Sequence, residues 1–410
     1  MTNVPEIRFK GFADAWEQRK LGEIAELSSS KRIHVNDYVS DGIPFYRGSE
    51  ISTGGVSKDN ELYISDDLYS EIKQKYGVPS EGDLLITAVG TLGNIWKVDN
   101  RQFYYKDGNL IRLSNLKLEA DYLVAYLADG HGKKKVLDSA AGSNQKALTM
   151  IKLNEISIFA PNAAEQTAIG NFFRILDNAI TLHKRKLDGL KELKKGYLQL
   201  MFPQTGERVP RVRFAGFTGE WEERKLGEVA EHFEYGLNAS AKEFDGVHKY
   251  IRITDIDEDL RRFNESNLTS PDIDFPSADN YLLRRGDILF ARTGASVGKT
   301  YIHREDESAV YFAGFLIRAR FIREHSPEFI YQNTLTEKYN TFINIMSQRS
   351  GQPGVNAQEY AGYSLGLPSE SEQTSIGNFF RSLDEQIATQ SKKLRQLKQL
   401  KAAYLQKMFV

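Results

Sequence analysis

The segment GASVGKT, residues 294–300, most invites a chemical reading, because glycines followed by Lys299 and Thr300 resemble a phosphate cradle. A phosphate-binding loop needs four residues between its glycines, then Lys and Ser or Thr, between a strand and a helix. Here three residues separate Gly294 from Gly298, and Thr293 stands where the first glycine belongs. The next residues, Tyr301-Ile302-His303, have strand character, and the matching stretch Gly90-Thr91-Leu92-Gly93-Asn94 has no lysine. Nucleotide binding is not expected. The chain contains no HExxH, no nucleophile elbow and no convincing glycine-rich dinucleotide or methyl-donor loop. Its seven histidines are scattered, and zero cysteines exclude thiolate nucleophiles and cysteine zinc sites. No catalytic residue and no metal site is expected.

The elements around these loops are said twice. RFKGFADAWEQRKLGEIAE, residues 8–26, returns as RFAGFTGEWEERKLGEVAE, residues 213–231, an offset of 205. EQTAIGNFFRILDNAI, residues 165–180, returns as EQTSIGNFFRSLDEQI, residues 372–387, an offset of 207. Residues 27–160 barely match 232–367. A period this long means two domains rather than a solenoid, and a constant scaffold with divergent inserts suits two different readers held in one relation. A length of 410 residues fits two or three domains. The net charge of -1 gives no overall basic field, so any DNA contact must come from local patches and shaped loops. No apolar run reaches membrane-spanning length and the N-terminus lacks a signal-peptide core, so a cytoplasmic protein is expected.

The second repeated block reads as a long amphipathic helix. Pro161-Asn162 and Pro368-Ser369 precede Glu165 and Glu372 with capping-box spacing. Steps of three and four then link Phe173, Leu176, Ile180, His183, Leu187, Leu190, Lys194, Tyr197 and Met201. The second copy gives Phe380, Leu383, Ile387, Gln390, Leu394, Leu397, Lys401, Tyr404 and Met408. That is a heptad seam with polar residues at the same two places, so the helices should pair. Because helix two ends where the motif before Phe9 would begin again, residue 410 should lie near residue 1, with the helices antiparallel and a pseudo-two-fold relation between halves. The expected fold is α+β: two similar globular domains joined by two long antiparallel coiled-coil helices. Its segments are residues 1–160, helix 161–203, linker 204–212, residues 213–367 and helix 368–410.

Within each variable domain, short apolar runs after Gly82 and Gly286 read as strands. Residues 43–51 and 248–256 correspond and read as strands too, with helices near 121–128 and 327–346. Arg47 and Arg252 match between halves, as phosphate contacts or as structural ion pairs with Glu50 and Asp255, the second reading being preferred.

Together, the paired GF…WE.RKLGE stretches, EQ..IG.FF..LD helix openings and GD(I/L)L strands resemble the specificity subunit of type I restriction-modification enzymes, over essentially the whole chain. The resemblance implies that each variable domain recognises one half of a bipartite, asymmetric double-stranded DNA target, with the helices as spacer. It implies two modification subunits that bind S-adenosylmethionine and methylate adenine, and restriction subunits that translocate with ATP and Mg2+ and cut DNA. The chain itself would bind no cofactor and direct chemistry without performing it. Two glycine-flanked polar loops per domain are then the candidate readers, since hydrogen bonds to base edges suit Arg, Lys, Asn and Gln. They are Thr91 and Asn94 with Ser143, Asn144, Gln145 and Lys146 in half one. In half two they are Arg292, Ser296 and Lys299 with Gln348, Arg349, Ser350, Gln352 and Asn356. Two alternatives stand beside this: a specificity subunit of a restriction system that is not type I, and a protein–protein bridging scaffold. The second does not explain why matched domains carry such different loops.

Overall fold

The computed structural model describes residues 4–56, 62–142, 146–305, 309–348 and 352–410. It contains two compact units: residues 1–184 with 393–410, and residues 185–392. The units do not follow consecutive segments of chain. Each takes part of both long helices, Ala163–Met201 and Glu370–Lys407.

In the first unit, the start of the first helix packs against the end of the second. Phe172 meets Tyr404 edge-on at 5.0 Å and Phe173 stacks on Phe409 at 5.7 Å. Asp177 pairs with Lys401 at 2.6 Å. In the second unit the shifted residues repeat these contacts: Phe379 with Tyr197 at 5.0 Å, Phe380 with Phe202 at 5.9 Å, and Asp384 with Lys194 at 2.6 Å. Each pairing is antiparallel. All eighteen seam positions are buried or half-buried. The lysines at seam positions are therefore ion-pair donors to the facing helix. Burial pulls the Lys194 amine below its ordinary value, with Asp384 opposing the shift.

The repeated motifs around the helices make one clamp in each unit. Arg8 donates twice to Glu165, both at 2.7 Å, and Arg213 twice to Glu372 at 2.6 and 2.7 Å. This corrects the capping-box expectation. Asn162 and Ser369 do accept the Glu165 and Glu372 backbone N–H groups, at 3.0 and 3.4 Å. The glutamates turn instead to the arginines, because a bidentate charge-assisted pair outcompetes a single bond to a backbone N–H. Trp16 and Trp221, each 2% exposed, pack on Phe409 and Phe202 beneath this clamp. The Ile7 N–H donates to Lys407 O at 2.9 Å and the Val212 N–H to Leu200 O at 2.9 Å. The last turn of the second helix thus lies beside the start of the described chain, as the repeat requires.

The variable part of each unit holds the same antiparallel four-stranded sheet. In the first unit the strands, in sheet order, are Glu26–Ser28, Leu110–Ser114, Leu84–Thr87 and Ile95–Lys97. In the second they are Ala230–Tyr235, Leu316–Phe321, Ile288–Ala291 and Thr300–Ile302. A parallel pair accompanies each, Ile43–Tyr46 with Tyr104–Tyr105 and His248–Ile251 with Ala309–Phe312.

Two element expectations are corrected. The strands starting at 43 and 248 stop at Tyr46 and Ile251, because the Glu50 and Asp255 carboxylates accept the Arg47 and Arg252 backbone N–H groups and close a turn. The helix expected over 327–346 is two helices, Pro327–Asn333 and Glu337–Met346. Thr334 and Thr336 interrupt it by bonding back to the Tyr331 and Asn333 carbonyls at 2.6 and 2.7 Å.

The glycine of the repeated IG.FF motif is a close-packing position. A Cβ on Gly170 would lie 2.4 Å from Glu119 Oε2 and 2.8 Å from the Tyr122 nitrogen, at the start of helix Ala120–Ala128. Replacing glycine by alanine inside a helix ordinarily adds up to about 1 kcal/mol. Gly170→Ala is expected to reverse that sign and remove about 1–3 kcal/mol by overpacking. Gly189→Ala, with nothing within 4 Å of the added Cβ, should stabilise. Urea unfolding of both variants checks the contrast.

Candidate nucleic-acid interface

In both units a loop follows the central strand of the sheet, and a second loop, late in the domain, is clipped to it. In the second unit, Ala291 ends the strand and the loop turns through Gly294 and Gly298, at φ 73° and 83°. A side chain with a Cβ rarely adopts that backbone, so the glycines are required there. The late loop then crosses it. Val355 N–H donates to Arg292 O at 2.9 Å, Gly294 N–H to Pro353 O at 3.0 Å, and Thr293 bridges Gly354. In the first unit Leu148 N–H donates to Ala88 O at 2.9 Å and Ala141 bridges Ala147. Lys133 Nζ additionally donates to the Gly93 carbonyl. The structure therefore brings together the two loop classes that the sequence singled out separately.

Their side chains fall into two groups. Thr91 and Lys146 are exposed in the first unit, and Gln348 and Gln352 in the second. Ser296 is half-exposed on the short 3-10 turn Gly294–Ser296, and Arg292 is half-buried. Ser143, Asn144, Gln145, Arg349 and Ser350 lie outside the described residues.

Three expectations are corrected. Lys299 is 4% exposed, and its amine donates to Glu258 and, at 3.4 Å, to Ile256 O. A buried, paired amine has no reach into a groove, and a strand rather than a helix comes after it. Asn94 donates through Nδ2 to Ile51 O at 3.2 Å, and its N–H to Thr87 Oγ1 at 2.9 Å, so its amide holds the hairpin. Asn356 caps helix Ala357–Ala361, accepting Glu359 N–H at 2.9 Å while Glu359 accepts its N–H at 2.7 Å. Asn356→Ala is expected to cost about 1 kcal/mol of stability. A variant with unchanged denaturant midpoint but altered DNA preference would return Asn356 to the readers.

Arg47 and Arg252 take the structural alternative. Arg47 donates to Glu50 through Nη2 at 2.7 Å, and Arg252 to Asp255 through Nε at 2.8 Å. Burial alone would raise the Glu50 carboxyl, but hydrogen bonds from Arg47 and Ser49 win and hold it below its ordinary range. A depressed carboxylate stabilises the fold at neutral pH, and that contribution is lost as pH falls through the lowered value.

Sequence reading missed Tyr235 and Phe315, both exposed beside Arg292. The available signal was small: glycine is followed by Phe315 in one half and by Asn109 in the other. Among the described residues no group of three or more His, Asp or Glu side chains is placed to hold a metal ion. No described helix is long and apolar enough to cross a membrane.

A family model described as type I restriction modification DNA specificity domain matches residues 13–192 and 218–399. A putative type I restriction enzyme specificity subunit from Haemophilus influenzae is 34% identical over 166 residues, 40% of this chain and 41% of that relative. A type I restriction enzyme specificity subunit from Methanocaldococcus jannaschii is 21% identical over 207 residues, 48% of each chain. The matches thus span less than half the length of these relatives. The crystal structure of a type I restriction-modification S subunit from M. genitalium shares the fold, with a TM-score of 0.72, 16% identity and 99% of both chains covered.

Proposed function

Because this chain belongs to the family of type I restriction modification DNA specificity domains, we propose that it is the DNA specificity subunit of a type I restriction-modification complex. Each unit reads one half of a bipartite, asymmetric target. The long helices set the spacing between half-sites and dock two modification subunits. Those subunits bind S-adenosylmethionine and methylate adenine, and restriction subunits use ATP and Mg2+. This chain performs no catalysis and binds no cofactor.

One observation carries the reading. The Leu148–Ala88 and Val355–Arg292 hydrogen bonds build the same clipped loop pair on the same sheet in both units, while the exposed side chains differ. A common backbone with exchanged polar groups is what base-edge readout requires, since discrimination comes from donor and acceptor patterns in the major groove. The spare amide, hydroxyl and ammonium groups of Thr91, Lys146, Ser296, Gln348 and Gln352 supply those patterns.

Methylome sequencing tests the reading. Cells carrying the modification subunit should show a split methylated motif only when this chain is present. Purified alone and given S-adenosylmethionine and DNA, the chain should transfer no methyl groups. Methylation by the isolated chain, or an identical methylome without it, would sink the proposal.

A further inference from the structure

Of the 23 phenylalanines in the chain, Phe315 alone is exposed, at 64%. A single exposed apolar residue is ordinary, so its surroundings carry the argument. Phe315 stands opposite Arg292, one step beyond the last strand pair Ala291–Leu316, and its carbonyl accepts the Arg292 N–H at 3.1 Å. Opposed residues of an antiparallel pair share a face. The Arg292 guanidinium lies over the Tyr235 ring, 4.8 Å from its centroid, and Nη1 reaches Gly314 O at 3.4 Å. Tyr235 is 43% exposed, and its hydroxyl accepts the Ala357 N–H at 3.3 Å, just past the late loop. Arg292 O in turn holds Val355. An aromatic ring and a pre-positioned arginine therefore stand together where the two candidate loops join.

The first unit keeps the backbone and changes the side chains. Ala88 N–H donates to Asn109 O at 2.8 Å, as Arg292 does to Phe315. The apolar-plus-cation pair belongs to the second unit alone, as a difference in readout requires. A protein-binding hot spot would sit within a packed apolar centre. Here Phe315 adjoins Gly314 and the half-buried cationic Arg292, with the exposed Tyr235 and its hydrogen-bonded hydroxyl beyond the guanidinium, a setting that suits a polar groove.

We propose that Phe315 is a specificity residue of the second unit, its ring meeting the C5-methyl group of a thymine in the major groove. This rests on the proposed DNA-reading function of the chain. Phenylalanine is an apolar partner for that methyl group, and an arginine fork matches guanine O6 and N7 on a neighbouring pair. Stacked on Tyr235, the arginine has less freedom left to lose on binding.

The test uses the full chain assembled with its modification subunits and duplexes carrying the methylated motif. Each thymine of the second half-site is replaced in turn by uracil, which removes only the methyl group. One replacement should weaken wild-type binding about fourfold, the size of one lost buried methyl contact. Phe315→Ala should bind the thymine and uracil duplexes alike at that position and keep its preferences in the first half-site. Phe315→Leu should retain part of the methyl preference. Because the ring is exposed, Phe315→Ala should melt like wild type. The inference is overturned by a second half-site without thymine, by equal wild-type binding to every uracil duplex, or by undiminished methyl preference in Phe315→Ala. Loss of modification-subunit binding without DNA in Phe315→Ala would mark a protein contact and overturn it too. A wild-type complex with no preference for the motif would instead remove the function on which the inference rests.

Discussion

Replacing residues 27–160 with the corresponding segment of a relative is expected to change one half of the methylated motif and leave the other half intact. The described candidate readers of the first unit, Thr91 and Lys146, lie inside that segment, as does the clip between Leu148 and Ala88. The seams to the constant parts combine backbone pairing, strand Glu17–Lys20 with Ser157–Ala160 and Leu21 N–H to Ile156 O at 2.9 Å, with aromatic packing of Tyr122 on Trp16 and Phe409 and of Tyr126 on Phe409. Backbone pairing tolerates a change of side chains, so the graft should seat when the relative keeps aromatic residues at the positions of Tyr122 and Tyr126. Each wrong base pair costs about 1–3 kcal/mol, so a half-site differing at three pairs should shift preference by on the order of a hundredfold or more. Methylome sequencing of the chimera reads the outcome. Change in both halves of the motif would show that the units do not read independently.

Removing the buried carboxylate of the first clamp, by Glu165→Ala, should cost about 3 kcal/mol or more, as breaking a buried ion pair does. Glu165 is fully buried and Arg8 is 10% exposed, so little water can replace the lost partner. The clamp also ties the described N-terminal segment to the helix, beside the Ile7–Lys407 hydrogen bond. Arg8→Met with Glu165→Met should recover much of the loss, because no charge is then left buried and unpaired. Chemical denaturation of the single and double variants decides it. An unchanged midpoint in Glu165→Ala would show that the clamp contributes nothing to stability.

The sequence by itself determined the parts that depend on repetition and period. Heptad spacing located both helices and the buried or half-buried stripe along each, from Phe173 to Met201 and from Phe380 to Met408, because burial along one helical stripe is a local pattern. The offset between copies of EQ..IG.FF foretold that the chain's last turn would return to its first described residues. Glycines at 294 and 298 marked a tight loop for the same local reason. What only the tertiary structure decided was which polar groups remain free. Glu165 and Asn162 have capping spacing, yet Arg8, 157 residues away, takes the carboxylate. Lys299 looks like a reader until Glu258 and burial claim it, and Asn356 until its own helix start does. Phe315, which sequence reading passed over, lies at the surface where strand pairing places it opposite Arg292 at the sheet's end. A hydrogen-bonding group is available to DNA only when nothing else in the fold satisfies it, and that accounting is made in three dimensions.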